Sequence, residues 1–125
     1  MPETNLDRDV RIETANFTAN GVYVVRDLEG RPLSWTFNGT LSGRTFGGGT
    51  LVLEGTQLSA DDCGLADSAW RTDTANGIWS AVSIGGAPYS LTDSGSGWLD
   101  VPLRHLRFRL TGATSPAVLG KLLVA

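Results

Sequence analysis

His105 is the only histidine of the chain, and it lies in the run Arg104-His105-Leu106-Arg107-Phe108-Arg109-Leu110. An imidazole is the side chain best suited to moving protons near neutrality. A hydrolase would set it beside a nucleophile, yet the chain has no Gly-x-Ser-x-Gly turn. As a metal ligand it would need carboxylates brought in from elsewhere, so a surface histidine on a strand is the preferred reading. Arg107 and Arg109 fall on the same strand face as His105, about 7 Å apart. Forked guanidinium donors in such a stripe suit docking onto an acidic protein surface. The competing reading is cross-strand pairing inside the domain's own sheet, with Glu54 or Asp100.

The remaining chemistry-bearing residues are weaker signals. Asp61, Asp62 and Asp67 lack the alternate spacing of a calcium loop and read as a solvated acidic loop. Asp73 and Asp93 cannot be joined into a glycosidase-type carboxylate pair from spacing alone. Gly47-Gly48-Gly49 precedes Thr50 without a following Gly-Lys-Ser/Thr, and a strand follows it, so it reads as a turn rather than a phosphate loop. Trp35, Trp70, Trp79 and Trp98 offer aromatic surface for a sugar platform, with core or subunit interface as the preferred reading. Trp35 belongs to a core stripe by alternation, which leaves Trp79 and Trp98 as the recognition candidates.

The elements that must position these residues read as strands. From Leu33 to Glu54, Leu33, Trp35, Phe37 and Leu41 alternate with Ser34, Thr36, Asn38, Thr40 and Ser42. That period of two marks a strand with one buried face. Leu51 and Leu53 resume it after the glycine-rich run, which predicts a long antiparallel hairpin. Val22–Val25 is an apolar run suited to a buried strand, and a short edge strand is expected at Asp9–Glu13. Ser59–Asp67 reads as a loop, Ser68–Thr72 as a short strand carrying Trp70, and Ile78–Ile84 as a strand. Pro88–Thr92 is a further short strand, Asp93–Gly97 a flexible turn, and Trp98–Val101 strand-like up to Pro102. Arg104–Leu110 sends Leu106, Phe108 and Leu110 one way and His105, Arg107 and Arg109 the other. Val118–Val124 reads as apolar on both faces and buried. No segment has convincing helical amphipathicity.

The chain has 125 residues, 41% of them apolar, with sixteen glycines, one cysteine and a net charge of −3. The length predicts one domain with a sufficient core, and the acidic balance argues against a general nucleic-acid binder. Cys63 alone permits neither an internal disulfide nor a cysteine zinc site, which fits synthesis in a reducing compartment. The opening MPETNLDRDVRIE is charged and lacks an apolar stretch, so no signal peptide is expected, and no run approaches a membrane span. Short strands at regular turn spacing predict an all-β, single-domain antiparallel β-sandwich, jelly-roll-like or barrel-like. Residues 1–16 read as a polar N-terminal arm and residues 17–125 as the sandwich.

Several motifs together resemble small β-sandwich structural proteins of tailed bacteriophages. They are Asn20-Gly21-Val22-Tyr23, the aromatic strand Trp35-Thr36-Phe37, the run Gly43–Leu53 around Phe46-Gly47-Gly48-Gly49-Thr50, the loop Ser59–Trp70, and Val101-Pro102 through Gly112-Ala113-Thr114. The resemblance covers Asn20–Leu53 and Trp98–Ala125, and segment 55–97 matches poorly. It is most like head decoration (cement) proteins, which implies a non-enzymatic virion component made in the host cytoplasm, without cofactors. Its implied partners are the major capsid protein and further copies of itself, as a homotrimer, with neither nucleic acid nor membrane bound. Asp7, Arg8, Asp9, Val10 and Arg11 of the arm, with His105, Arg107 and Arg109, are the candidate interface residues. The alternative is a tail, neck or fibre-base component that binds a host glycan or receptor.

Overall fold

The computed structural model describes residues 10–125. The strands, in chain order, are β1 (Arg11–Thr14), β2 (Gly21–Val25), β3 (Leu33–Asn38), β4 (Thr50–Thr56), β5 (Ser80–Ala81), β6 (Ser83–Ile84), β7 (Ala87–Pro88), β8 (Ser90–Leu91), β9 (Gly95–Leu99), β10 (His105–Thr111) and β11 (Leu119–Val124). Two short helices, α1 (Ala60–Cys63) and α2 (Asp67–Thr72), lie between β4 and β5. One main sheet has the order β1-β11-β3-β9 and the second β2-β10-β4-β5, with β8 also on β4; β6 and β7 pair as a separate two-stranded ribbon. Every pairing is antiparallel. The long strands thus alternate between two facing sheets, which is the jelly-roll arrangement. The predicted all-β sandwich is therefore found, as two open sheets rather than a closed barrel.

Alternation decides what lies between the sheets. Leu33, Trp35 and Phe37 of β3 and Leu122 and Val124 of β11 meet Leu51 and Leu53 of β4 and Leu106, Phe108 and Leu110 of β10. The Phe108 ring stands 4.8 Å from Phe37 and 5.3 Å from Trp35, centroid to centroid. The Trp35 indole donates to the Tyr89 hydroxyl (3.0 Å), so its polar edge is satisfied inside the core. It can lie flat under β9 because residue 97 is glycine; a Cβ there would come within 2.6 Å of the ring.

The predicted hairpin Leu33–Glu54 is not formed. β3 and β4 belong to opposite sheets, and the glycine-rich run carries the chain across the end of the sandwich. Phe46 is buried there, Thr45 bridges Ala117, and Gly47, at φ 62°, packs its backbone against Thr114. Alternation shows only that each strand has one dry face, and two strands facing the same core from opposite sides share that pattern. Leu41, placed on the core stripe by alternation, lies past the end of β3 and is exposed.

Segment 59–79 also departs from expectation. It holds α1 and α2 rather than a loop and a strand. Ser59 and Asp62 form a reciprocal capping box on α1, and Gly64 closes that helix in the left-handed conformation. Trp70 lies on α2 and packs with Trp79 and Ile78 into a second, smaller core against Val24 on the outer side of β2. Helices this short carry no amphipathic period, so packing rather than propensity maintains them. Asp93–Gly97, read as a flexible turn, supplies the first half of β9.

Candidate functional site

The two sheets present very different outer faces, and the predicted interface residues of β10, His105, Arg107 and Arg109, fall on the covered one. Arg107 lies opposite Glu54 and Val24 in register, on the outer side of the β2-β10-β4 sheet, but segment 59–79 closes over it. Its side chain is 1% exposed. Nε donates to Glu54 Oε1 (2.7 Å), Nη1 to the Arg71 carbonyl (2.7 Å) and Nη2 to the Asp73 carbonyl (2.8 Å). The guanidinium also sits 4.7 Å from the Trp79 ring centroid. Arg109 closes a fork on the same carboxylate, with Nε on Oε1 (3.1 Å) and Nη2 on Oε2 (3.0 Å). Burial alone would raise the Glu54 pKa, but the hydrogen bonds from Arg109 and Arg107 outweigh it and hold the carboxyl below its ordinary value. Burial pushes Arg107 down from its ordinary value, which lies so far above neutrality that the group stays charged. The exposed docking stripe is thus not found; the cross-strand pairing is, with Glu54, and Arg107 in addition ties α2 to the sheet.

His105 is likewise not on the surface but 4% exposed. The backbone N–H of Asp27 donates to its Nδ1 (3.1 Å), which places the proton of the neutral ring on Nε2. Nε2 is buried without a hydrogen-bond partner, and the Trp70 ring stands nearly perpendicular to the imidazole at 5.2 Å. Burial pushes the His105 pKa below the ordinary histidine value; Asp27 opposes that drop, and Arg104 and Arg26 add to it. Its neighbours are engaged as well. Arg104 pairs with Asp62 at 3.1 Å and Arg26 with Asp67 at 2.7 Å, so two acids of the acidic stretch, though solvated as expected, link α1 and α2 to the sheet through exposed ion pairs. Among the described residues, no three or more His, Cys, Asp or Glu side chains group as metal ligands.

Of the arm candidates, Asp7, Arg8 and Asp9 lie outside the described residues. Arg11 belongs to β1, paired with β11 in the register Arg11 to Val124 and Thr14 to Lys121. Its guanidinium turns inward and donates to the Arg26 carbonyl (2.7 Å). Glu13 also turns inward, accepting from the Tyr23 hydroxyl (2.6 Å), whose pKa burial and Glu13 push up to about 12. The alternation of β1 is therefore inverted: its charged residues turn inward while Ile12, and Val10 just before the strand, face solvent, Ile12 at 73% exposure.

Among the described residues, nothing packs over the outer face of the β1-β11-β3-β9 sheet. Register aligns Ile12, Leu123, Ser34 and Trp98 in one row across all four strands, and Thr14, Lys121, Thr36 and Ser96 in the next. Trp98 is 71% exposed, whereas Trp79 is buried and donates its indole N–H to the Trp70 carbonyl (2.9 Å). Trp79 is thus no recognition residue. Ile12 and Leu123 form one wall of a shallow depression of about 570 Å³, Trp98 forms the other, and Ser34, Thr36, Ser96 and Gly97 line it between them. The Thr36 and Ser96 hydroxyls bond each other at 2.9 Å, and Lys121 reaches along the sheet to the Thr14 hydroxyl. β11 is dry only toward the core; Lys121 and Leu123 are on its wet face. A lysine between Gly120 and Leu122 was the available signal that Val118–Val124 is not buried on both sides. Compared with family models, with curated proteins and with solved structures, the chain matches none.

Proposed function

We propose that the chain is a non-enzymatic structural subunit of a tailed-phage virion, a head decoration (cement) protein. It docks on the outer capsid surface as a homotrimer and stabilises the head, and it reaches the particle from the host cytoplasm. The observation that carries this reading is the inverted, solvent-facing apolar side of β1. A strand at a sheet edge that spends Ile12 on water, with Val10 exposed just before it, and turns Arg11 and Glu13 inward is suited to being covered by another protein. Among the described residues β1 pairs only with β11, which leaves its second edge for strand addition. Repetition over a shell lets modest contacts of this kind sum. The sealed ring of His105 and the internally paired Arg107 and Arg109 support the non-enzymatic part of the reading. The jelly roll is common among capsid domains, an argument by fold analogy only.

The test is binding to expanded capsids of the encoding phage by the full chain, by a deletion of residues 1–9, and by Ile12→Asp. The cut stops before Val10 because Ala15 is fully buried and Asn16 accepts from the Gly120 N–H (3.0 Å). Ile12→Asp is expected to abolish binding without loss of fold, and saturation by both variants refutes the reading. A second reading, a tail, neck or fibre-base component that recognises a host glycan or receptor, is favoured by one specific observation: the exposed Trp98 beside a hydroxyl-lined depression.

A further inference from the structure

We propose that the depression between Trp98 and Leu123 binds an acidic saccharide, with the pyranose face on the Trp98 indole and the carboxylate or other anionic substituent toward Lys121. This deepens the recognition reading above and rests on it. Two strand spacings, about 10 Å, separate the strands that carry the indole and the aliphatic wall. The strand between them lends the groove the hydroxyls of Ser34 and Thr36, so the groove has a low hydroxyl-rich floor and one projecting aromatic wall. A sugar has the matching character: an apolar C–H face for the ring and a rim of hydroxyls for short polar side chains.

A protein partner fits this part of the face less well. Interface cores are depleted in serine and lysine, and here serine lies at the centre of the row and lysine beside it. Charge then selects within the saccharides. The chain carries a net charge of −3, yet among the described residues the only charged one lining the depression is Lys121, the single lysine of the sequence. Asp100 lies on the opposite side of the indole, where it lines a separate hollow with Ser83 and Ile84. An anionic group is therefore attracted to the Lys121 side and repelled from the other.

The experiment is a titration of the full chain with oligogalacturonate, a hyaluronan tetrasaccharide and sialyllactose, against uncharged maltotetraose and lactose. It is followed by intrinsic fluorescence and calorimetry. Trp35, Trp70 and Trp79 are buried and Trp98 is exposed, so a change in quenching by acrylamide reports the groove. At least one acidic saccharide is expected to bind and to protect Trp98 from quencher. Trp98→Ala is expected to abolish binding, Trp98→Tyr to retain it, and Lys121→Gln to weaken the acidic ligand about tenfold. Equal binding of the uncharged sugars, or no effect of Lys121→Gln, overturns the acidic assignment while leaving sugar recognition standing. Absence of binding by every saccharide overturns both. A change in oligomeric mass on Trp98→Ala, without saccharide binding by the wild type, assigns the face to protein and overturns both as well.

Discussion

Replacing Arg107 with alanine is the sharpest test of how the arginine stripe is used. The side chain is 1% exposed and makes charge-assisted bonds to one carboxylate and two main-chain carbonyls. Glu54 would not be orphaned, because Arg109 still grips both of its oxygens. The loss is therefore the two carbonyl bonds, each about 1.5–3 kcal/mol, plus packing against Trp79. We expect about 3–5 kcal/mol in total, because two part-buried main-chain carbonyls lose charged donors. For a chain of this size that is roughly 10 °C or more in Tm. Arg109→Ala, whose side chain is 28% exposed and makes no carbonyl bond, should cost about 1 kcal/mol. Urea unfolding at neutral pH and thermal melting measure both. The pH dependence supplies a second readout. A carboxyl whose folded pKa is depressed contributes stability that is present above its unfolded pKa and lost as pH falls through the folded value. Glu54 is such a group, so Arg107→Ala should also flatten the acid side of the stability profile. A cost under about 1 kcal/mol for Arg107→Ala, or a larger cost for Arg109→Ala, refutes the reasoning.

Three further outcomes follow from the same geometry. His105 has a lowered folded pKa, so its contribution is full above the unfolded value of about 6.5 and lost as pH falls below it. The urea midpoint should drop between pH 7 and 5 in the wild type and stay level in His105→Asn, whose side-chain oxygen can still accept from Asp27. Gly97→Ala drives a Cβ into the Trp35 ring and should cost about 1–3 kcal/mol, seen as a lower melting temperature with altered near-ultraviolet dichroism. Trp98→Ala removes an exposed ring and should leave stability within about 0.5 kcal/mol in the same unfolding assay.

Most strands were legible because each has one dry face, and alternation records that directly. Arg104–Leu110 was assigned to the correct faces in this way: Leu106, Phe108 and Leu110 line the core, and Arg107 meets Glu54 across the sheet. Alternation records dryness on one side only and is silent about the other. It could not show that segment 59–79 folds over the arginine side and buries Arg107 and His105, because Trp70 and Trp79 are recruited by packing rather than by any local period. The same silence misassigned β3 and β4 as a hairpin. On the bare sheet, Trp98 was visible as a candidate from its type alone. Ile12, Leu123 and Lys121 became its neighbours only through the pairing of the first strand with the last, and no local pattern encodes that pairing.

The proposed role, a jelly roll that works by being covered as a repeated subunit on a phage head, is open to direct test. Its most direct measurement is the copy number of the chain in purified particles of the encoding phage, by quantitative mass spectrometry against the major capsid protein. A stoichiometric ratio to the capsid protein is predicted. A handful of copies per particle contradicts the decoration reading and moves the chain to the tail or neck, and absence from the particle contradicts the virion role altogether.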